Sequence, residues 1–231
     1  MVNNEQFNRF DSLIGKDNRK LLFKKKVAIF GLGGVGSAAA ISLARAGVGC
    51  FYLFDFDVVE PSNINRQMLA FHSTIGKKKT AVLREIIADI NPKAEIKVRE
   101  DYLTPELIDE IDFTNFDFVV DAIDTPKSKI ALIKRGTQLK VPLISALGAG
   151  NRLDPSQLRI MDIYETRNDP FAKIIRSLCR KQNISHLTVV ASVEKPIATP
   201  DKTLGSSPFV PPAMGLLMAS YVVKKIIGEC P

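Results

Sequence analysis

The chain has 231 residues, of which 45% are hydrophobic and 25% are charged. This length and composition predict one large α/β domain, or one domain with an appendage, and exclude a disordered chain. The net charge of +7 is compatible with a polyanionic partner such as a nucleic acid. A basic protein without such a partner accounts for the charge equally well.

The cysteines and the apolar stretches restrict the class further. Cys50, Cys179 and Cys230 lie far apart without a Cys-x-x-Cys pair, which argues against a thiolate zinc site and against a disulfide framework. The first residues lack a basic segment followed by an apolar one, so we expect no signal peptide. The longest apolar stretch, residues 209–223, contains two prolines and is shorter than the roughly 20 residues that a membrane span needs. We therefore expect a soluble protein of a reducing compartment, the cytoplasm.

The N-terminal segment, residues 1–25, is expected to form a helical arm. Apolar residues between 7 and 23 recur with helical spacing and predict a short amphipathic helix. Arg9 and Arg19 belong to its polar side, where solvation is the default interpretation.

A β–α–β unit follows the arm. The pattern predicts a strand at 26–30, a helix at about 34–46 and a strand at 50–54. The glycines between the first strand and the helix, Gly31, Gly33 and Gly36, fit G-x-G-x-x-G, a turn that brings backbone close to a phosphate at a helix N-terminus. This turn alone does not distinguish NAD from ATP. Asp55 closes the second strand, where a carboxylate accepts hydrogen bonds from a ribose.

A polar loop and a lysine-rich helix start come next. In the loop 57–67, Asn65 and Gln67 supply amide donors, and Arg66 supplies a planar fork for phosphate oxygens. A helix then opens at 76–80 and stops at 91–92. Three lysines at a helix start oppose the helix dipole, which indicates that at least one of them binds an anionic ligand.

The alternation of strands and helices continues to residue 145. Strands are predicted at 96–98, 117–120 and 141–145, with helices from Thr104 and at 126–139. Asp121 and Asp124 follow the second of these strands, at the edge where open α/β sheets bind ligands. Paired carboxylates beside phosphates suit Mg²⁺. Asp124 is alternatively the N-cap of the next helix, and one side chain cannot easily do both.

The last third, residues 151–231, loses this alternation. We predict an antiparallel strand at 158–163, a helix starting at 169–170, a strand at 187–191, a long loop at 192–212 and a closing helix at about 213–227. Cys179 falls on the apolar stripe of the first of these helices, so we interpret it as a packing residue. The other face is a solvated surface by default, and it is also the best local candidate for contacts to RNA phosphates; its basic residues are Lys173, Arg176, Arg180 and Lys181.

These elements predict a Rossmann-like, doubly wound α/β fold. Its mainly parallel sheet would be continued by antiparallel strands and closed by a C-terminal helix. We expect a single domain over residues 1–231, with residues 26–150 as the nucleotide-binding core and residues 151–231 on the substrate side.

Five elements between residues 30 and 124 occur in a specific order. They are the glycine turn, Asp55-Phe56-Asp57, the segment 63–67, Gly76 with Lys79, and Asp121-Ala122-Ile123-Asp124. Together they resemble the ubiquitin-activating-like adenylyltransferase superfamily. The resemblance implies ATP rather than NAD, and attack of a substrate carboxylate on the α-phosphorus to give an acyl-adenylate and pyrophosphate. Mg²⁺, arginine and lysine would neutralise the developing charge.

The same resemblance assigns roles by position. It makes the turn the phosphate cradle and Asp55 the ribose acceptor; the cofactor-binding set is Gly31, Gly33, Gly34, Gly36, Asp55, Asp57, Asn65, Arg66, Gln67, Lys79, Asp121 and Asp124. Asp124 would hold Mg²⁺. The catalytic set would be Arg66, Lys79, Asp124 and Arg9. Arg9 is similar in placement to the arginine that family dimers contribute to the partner's ATP site, so a homodimer is expected.

Motifs in the second half narrow the resemblance. With Arg9-Phe10, the segments 148–150, 153–158, 169–170, 192–196 and 205–215 resemble the tRNA threonylcarbamoyladenosine dehydratases over the whole chain. That resemblance implies a modified tRNA as partner and ATP-dependent ring closure of its threonylcarbamoyladenosine. The carboxylate would be adenylated and then captured by the group's own ureido function, so no catalytic cysteine is needed. A sulfur-relay protein is a further partner that the resemblance allows.

Three other functions fit parts of the pattern. An activator of a sulfur-carrier or ubiquitin-like protein would adenylate a C-terminus, but bacterial members usually carry two Cys-x-x-Cys zinc pairs, which this chain lacks. A non-catalytic ATP- or tRNA-binding scaffold would not require Arg66 or Asp124. A nicotinamide dehydrogenase is disfavoured by the loop that contains Arg66.

Overall fold

The computed structural model describes residues 5–200 and 203–229, so Cys230 lies outside the described residues. The strands are β1 Lys26–Phe30, β2 Cys50–Phe54, β3 Glu95–Arg99, β4 Phe118–Asp121, β5 Leu143–Ala146, β6 Leu158–Asp162 and β7 Thr188–Ser192. The helices are α1 Asn8–Ile14, α2 Lys16–Phe23, α3 Gly34–Arg45, α4 Lys79–Ile90, α5 Pro105–Glu110, α6 Pro126–Gln138, α7 Pro170–Lys181 and α8 Val210–Ile227.

The seven strands form one sheet in the order β3-β2-β1-β4-β5-β7-β6. All neighbouring pairs are parallel except β6 and β7, which are antiparallel. The chain winds outward from β1 in one direction and from β4 in the other, so the strand order reverses between these two strands. The predicted fold class, a doubly wound parallel sheet with an antiparallel extension and a C-terminal helix, is confirmed.

Apolar side chains cover both faces of the sheet. On one face, alternate residues of β1, β2 and β4 pack with α3, α4 and α8 in the largest hydrophobic cluster. On the other face, Phe30 and Phe54 stack with ring centroids 4.1 Å apart, next to Phe113 and Phe116. A third cluster joins α6 and α7 to β7. Burial on both faces explains why the parallel strands are continuous apolar runs in the sequence.

The last helix differs from its expected start. α8 begins at Val210 rather than at 213, and Pro211 and Pro212 lie in its first turn. Prolines are tolerated there because the first backbone N–H groups of a helix have no intrahelical acceptor. Of the helices in the described ranges, α8 is long and apolar enough to cross a membrane, but half of it is buried inside the protein. A core helix passes the same test.

The N-terminal arm and the lysine-rich segment also differ from the expectation. Gly15, with a φ of 84°, separates the arm into α1 and α2. The helix expected from 76–80 begins at Lys79, since Gly76 has a φ of 81° and Val58 forms an isolated bridge with Lys78.

Close packing of α3 and α8 generates a stability prediction. A Cβ on Gly215 would overlap the carbonyl oxygen of Val35 and lie 2.9 Å from Ala38 Cβ. We expect Gly215→Ala to lower the free energy of unfolding by about 1–3 kcal/mol, although alanine is the better helix former. Ser220→Ala, at an exposed position of the same helix, is the control and should change it by less than about 0.5 kcal/mol. Urea denaturation measures both, and equal stability of the two variants would contradict the packing.

Candidate active site

A cleft of about 890 Å³ lies at the carboxyl edge of the parallel strands. Its lining includes the turn after β1, the loops after β2, β4 and β5, and the start of α7. The reversal of strand order between β1 and β4 opens such a crevice because the two connecting chains leave in opposite directions.

The glycine turn is held against the end of β4. Gly31 has a φ of 87°, and a Cβ there would lie 2.6 Å from the carbonyl oxygen of Ala122. A Cβ on Gly36 would overlap the carbonyl oxygen of Gly31. Gly33, in contrast, has no neighbour nearer to such a Cβ than Gln67 Nε2 at 3.9 Å. The turn is therefore closely packed on the side of β4 and open on the side of the cleft. On the open side, the N-terminus of α3 favours an anion.

Asp55 lies at the end of β2 with 8% of its surface exposed. Its carboxylate accepts hydrogen bonds from the N–H groups of Leu32 at 2.6 Å and Asp57 at 2.8 Å. Burial raises the pKa of Asp55, while the charge of Lys79 and these two bonds act in the opposite direction. The group is fixed at the cleft and retains lone pairs for a hydroxyl donor such as a ribose.

Lys79 places a cation at the cleft. It is the first residue of α4, has 5% of its surface exposed, and donates from Nζ to Asp57 Oδ2 at 2.7 Å. Asp57 is much more exposed than its partner. A phosphate entering the cleft would compete with Asp57 for this ammonium group.

The polar loop after β2 is folded on itself. Arg66 Nη1 donates to the carbonyl oxygen of Ser62 at 2.9 Å and to Asn65 Oδ1 at 3.0 Å. Asn65 was expected to donate to a phosphate; its Nδ2 instead donates to the carbonyl oxygen of Ser206 at 2.9 Å. Gln67 is buried, and its Oε1 has no hydrogen-bond partner. The loop thus presents one arginine fork and one unsatisfied amide.

The two aspartates after β4 have different environments. Asp124 is exposed and lines the cleft, and Thr125 rather than Asp124 is the N-cap residue of α6. Asp124 is therefore free of the capping role. The expectation that Asp121 faces the cofactor is wrong: it is fully buried, is paired with Lys129, and does not line the cleft. Its carboxylate turns into the protein because the Lys129 ammonium and the Ser145 hydroxyl are enclosed there.

A metal ion would depend on Asp124 and on a ligand's own oxygens. Within residues 5–200 and 203–229, no three or more His, Cys, Asp or Glu side chains are grouped so as to hold a metal ion. One carboxylate with substrate phosphates is an arrangement that Mg²⁺ accepts. The residues present fit Mg²⁺ brought with a nucleotide, and do not fit an ion held by protein alone.

Several predicted residues lie away from the cleft. Arg9 is exposed on α1 and is not part of its lining. The basic residues of α7 also lie outside the lining: Arg176 donates to the hydroxyl and carbonyl oxygens of Thr166, and the Arg180 guanidinium lies 5.5 Å from the Tyr164 ring centroid. Lys173 and Lys181 are exposed.

The far half of the cleft contains residues that the sequence analysis did not single out. They are Arg152, Phe171 and the segment around Leu204. Arg152 is buried and donates to the carbonyl oxygens of Gly148, Asn168 and Glu194. Two features of the sequence point to this region, the helix start at 169–170 and the long loop that contains glycine. The sequence pattern predicted both features, but not which residues lie next to them in the fold.

Comparison with known proteins agrees with this architecture. The ThiF family matches residues 6–231. A tRNA threonylcarbamoyladenosine dehydratase of Bacillus subtilis is 38% identical over 97% of this chain and 95% of its own length. The Escherichia coli protein of that name is 36% identical, over 74% of this chain and 64% of its own length. The crystal structure of E. coli TcdA in complex with ATP matches with a TM-score of 0.91 at 31% identity, over 99% of this chain and 98% of that one.

The fold and cleft therefore define a nucleotide-binding α/β protein of the adenylating kind. The chain belongs to the ThiF family. E. coli MccB with ATP, at 19% identity and a TM-score of 0.67, shares the fold.

Asp55 generates a binding prediction. In Asp55→Asn the side chain would turn an NH₂ group toward one of the two backbone N–H groups, which would lose its acceptor. A ribose hydroxyl would also meet a neutral amide instead of a carboxylate; hydrogen bonds to charged groups contribute about 1.5–3 kcal/mol, so we expect the Kd for ATP to rise about tenfold. Asp101→Asn is the control, because Asp101 also lines the cleft but is exposed and pairs with Arg99 at its surface. Isothermal titration calorimetry compares them; equal affinities would contradict the role of Asp55.

Cys179 generates a second prediction. Burial raises the pKa of its thiol from 9.0 to about 11, so the thiolate form is scarce at neutral pH. The same shift means that this group destabilises the fold as pH rises from about 9 to 11. We expect iodoacetamide to leave Cys179 unmodified in the native protein at pH 7.5 and to modify it in denaturant, as peptide mass spectrometry would measure. Rapid native alkylation would show that the thiol is accessible.

Proposed function

We propose that this protein catalyses the ATP-dependent dehydration of threonylcarbamoyladenosine in tRNA, closing the side chain into a ring. The observation that carries the proposal is the cleft itself. A glycine turn, the buried acceptor Asp55 and the buried cation Lys79 converge there, in a chain that matches a B. subtilis dehydratase along nearly its whole length. The E. coli TcdA structure with ATP supports the use of that nucleotide.

In this proposal the near half of the cleft binds ATP. The turn from Gly31 to Gly36 approaches the phosphates, and Asp55 accepts a ribose hydroxyl. Lys79 leaves Asp57 for a phosphate oxygen, which replaces one anionic partner by another. Arg66 supplies a second cation from the rim. Asn65 and Gln67 act beside it, Asn65 through the loop it holds and Gln67 through its Nε2 amide donor, which lies next to Gly33.

Mg²⁺ would be held by Asp124 together with the nucleotide's phosphates. Its charge would stabilise the pyrophosphate that leaves. Asp124 is suited to this because its carboxylate is exposed at the cleft and does not cap α6.

The reaction is then two displacements. A carboxylate oxygen of the threonylcarbamoyl group forms a bond to the α-phosphorus, and the bond to the pyrophosphate oxygen breaks. The ureido group of the same side chain next attacks the activated acyl carbon, loses a proton, and displaces AMP. Arg66 and Lys79 offset the negative charge that develops in the first step. The sum removes one water from the nucleoside at the expense of ATP becoming AMP and pyrophosphate.

The partners follow from the surface. The exposed Lys173 and Lys181, with Arg176 and Arg180 on the same helix, would contact tRNA phosphates. Arg9 lies outside the cleft of its own chain, so it would reach the site of a second copy in a homodimer. Leu13 on the same helix is 78% exposed and would be covered there. A cytoplasmic location and a sulfur-relay partner complete the proposal.

A second candidate is adenylation of the C-terminus of a sulfur-carrier or ubiquitin-like protein. A relative in Aspergillus niger, an adenylyltransferase and sulfurtransferase uba4, is 38% identical over 58% of this chain and 27% of its own length. That match covers little more than half of this chain, so the test must vary the substrate.

The test incubates the protein with ATP, Mg²⁺ and tRNA that bears threonylcarbamoyladenosine. We expect a nucleoside lighter by one water, detected by mass spectrometry, and AMP in equal amount. Arg66→Ala and Asp124→Ala should each lower the rate by on the order of 100-fold, since each removes charge stabilisation from the transition state. Arg84→Ala and Asp89→Ala, at exposed positions of α4 outside the cleft lining, are the matched controls. Two results would refute the proposal: a nucleoside of unchanged mass after incubation with folded protein, or full activity of both alanine variants. Pyrophosphate exchange that requires a small protein and not tRNA would instead support the second candidate.

A further inference from the structure

A buried ion pair lies behind the loop that carries Asp124. Asp121 ends β4, and Lys129 belongs to the first turns of α6; both side chains are 0% exposed. Lys129 Nζ donates to Asp121 Oδ2 at 2.8 Å. The same oxygen accepts from the Ser145 hydroxyl of β5 at 2.6 Å. The pair therefore joins two central strands and one helix in a single enclosed cluster.

Stability alone gives a weak reason for this cluster. Well-packed apolar residues of similar volume hold a core as well as a buried ion pair does, because both charges lose their hydration on folding. Burial lowers the pKa of Lys129, and the charges of Asp121 and Asp124 oppose that change.

The second oxygen of Asp121 connects the pair to the cleft. Asp121 Oδ1 accepts from the backbone N–H of Ile123 at 3.1 Å, which closes a turn two residues long. Ala122, Ile123, Asp124 and Thr125 all line the cleft. Ala122 is held from the other side, since its N–H donates to the carbonyl oxygen of Phe30 at 2.8 Å.

The turn closed by Asp121 also supports the glycine turn that follows β1. The Ala122 carbonyl oxygen occupies the space beside Gly31 that a Cβ would need. A shift of the 122–125 loop would therefore displace Asp124 and change the wall behind the phosphate-facing turn at the same time.

We propose that Asp121 is a positioning residue: its second oxygen fixes the 122–125 loop, and thereby Asp124 and the support of Gly31, in the geometry that the adenylation step requires, while Lys129 balances the charge of the buried carboxylate. Lys129 neutralises Asp121, and Asp121 then holds Ile123 N–H. The catalytic consequence rests on the proposed function, whereas the ordering of the loop does not.

Three variants separate charge from turn geometry. Lys129→Met leaves Asp121 buried without its cation, and we expect the Tm to fall by roughly 10 °C. Asp121→Leu/Lys129→Met removes both charges and should recover most of that loss, but it deletes the acceptor for Ile123 N–H. Asp121→Asn/Lys129→Met also removes both charges and keeps an acceptor oxygen at that position.

The readouts are hydrogen exchange of the segment 118–128, the Kd for ATP, and kcat on the modified tRNA. Asp121→Leu/Lys129→Met should exchange faster at 122–125 and lose kcat by on the order of 10- to 100-fold, with a smaller rise in its Kd for ATP. Asp121→Asn/Lys129→Met should retain the slow exchange and most of kcat.

A structural role alone predicts a different result, in which kcat follows Tm and both double variants behave alike. That result, or wild-type exchange in Asp121→Leu/Lys129→Met, would overturn the proposal. Exchange and ATP affinity do not involve tRNA, so they test the positioning of the loop even where the proposed reaction is not observed. A wild-type protein with slow exchange at 122–125 and no conversion of tRNA would refute the function and keep the positioning.

Discussion

The close approach of Gly31 to the carbonyl oxygen of Ala122 is the constraint on which the cleft depends. β1 and β4 are neighbours in the sheet, and their connecting chains leave in opposite directions at this point. Only a residue without a Cβ, at a φ of 87°, lets the two turns meet at this distance. The contact brings the N-terminus of α3 beside the loop of Asp124. Binding groups from two halves of the sheet thereby share one space.

Two lysines at or behind the cleft are each already paired with an aspartate. Lys79 is held by Asp57, and Lys129 by Asp121, but the two pairs differ in exposure. Because Asp57 is partly exposed, water could solvate it in the proposed complex, where Lys79 turns to a phosphate. Asp121 and Lys129 have no exposed side-chain surface, so a ligand in the cleft does not reach either of them. The first pair is thus open to exchange with a ligand, whereas the second contacts only the protein.

The sequence was informative where local pattern and tertiary structure agree. β1 and β2 have the predicted bounds because each is a buried apolar run that ends at a glycine or an aspartate. Asp55 was predicted at the cleft because it ends a strand, whereas Lys79 was singled out among three neighbouring lysines only by the family resemblance. Asp121 was misassigned because its partners, Lys129 and Ser145, lie on other elements and appear in no local spacing. The start of α8 was missed because its two prolines resemble a loop.

The long loop before α8 explains why the far half of the cleft is harder to derive from sequence. Asn151, with a φ of 56°, donates from its N–H to the carbonyl oxygen of Gly205 and accepts from Ile197 and Gly205. Asn65 holds the next residue, Ser206, from the opposite side of the cleft. Contacts between residues about 50 and 140 positions apart have no signature in periodicity. They also mean that the loop touches both halves, so hydrogen bonds link the nucleotide side and the far side in addition to the core that the two halves share.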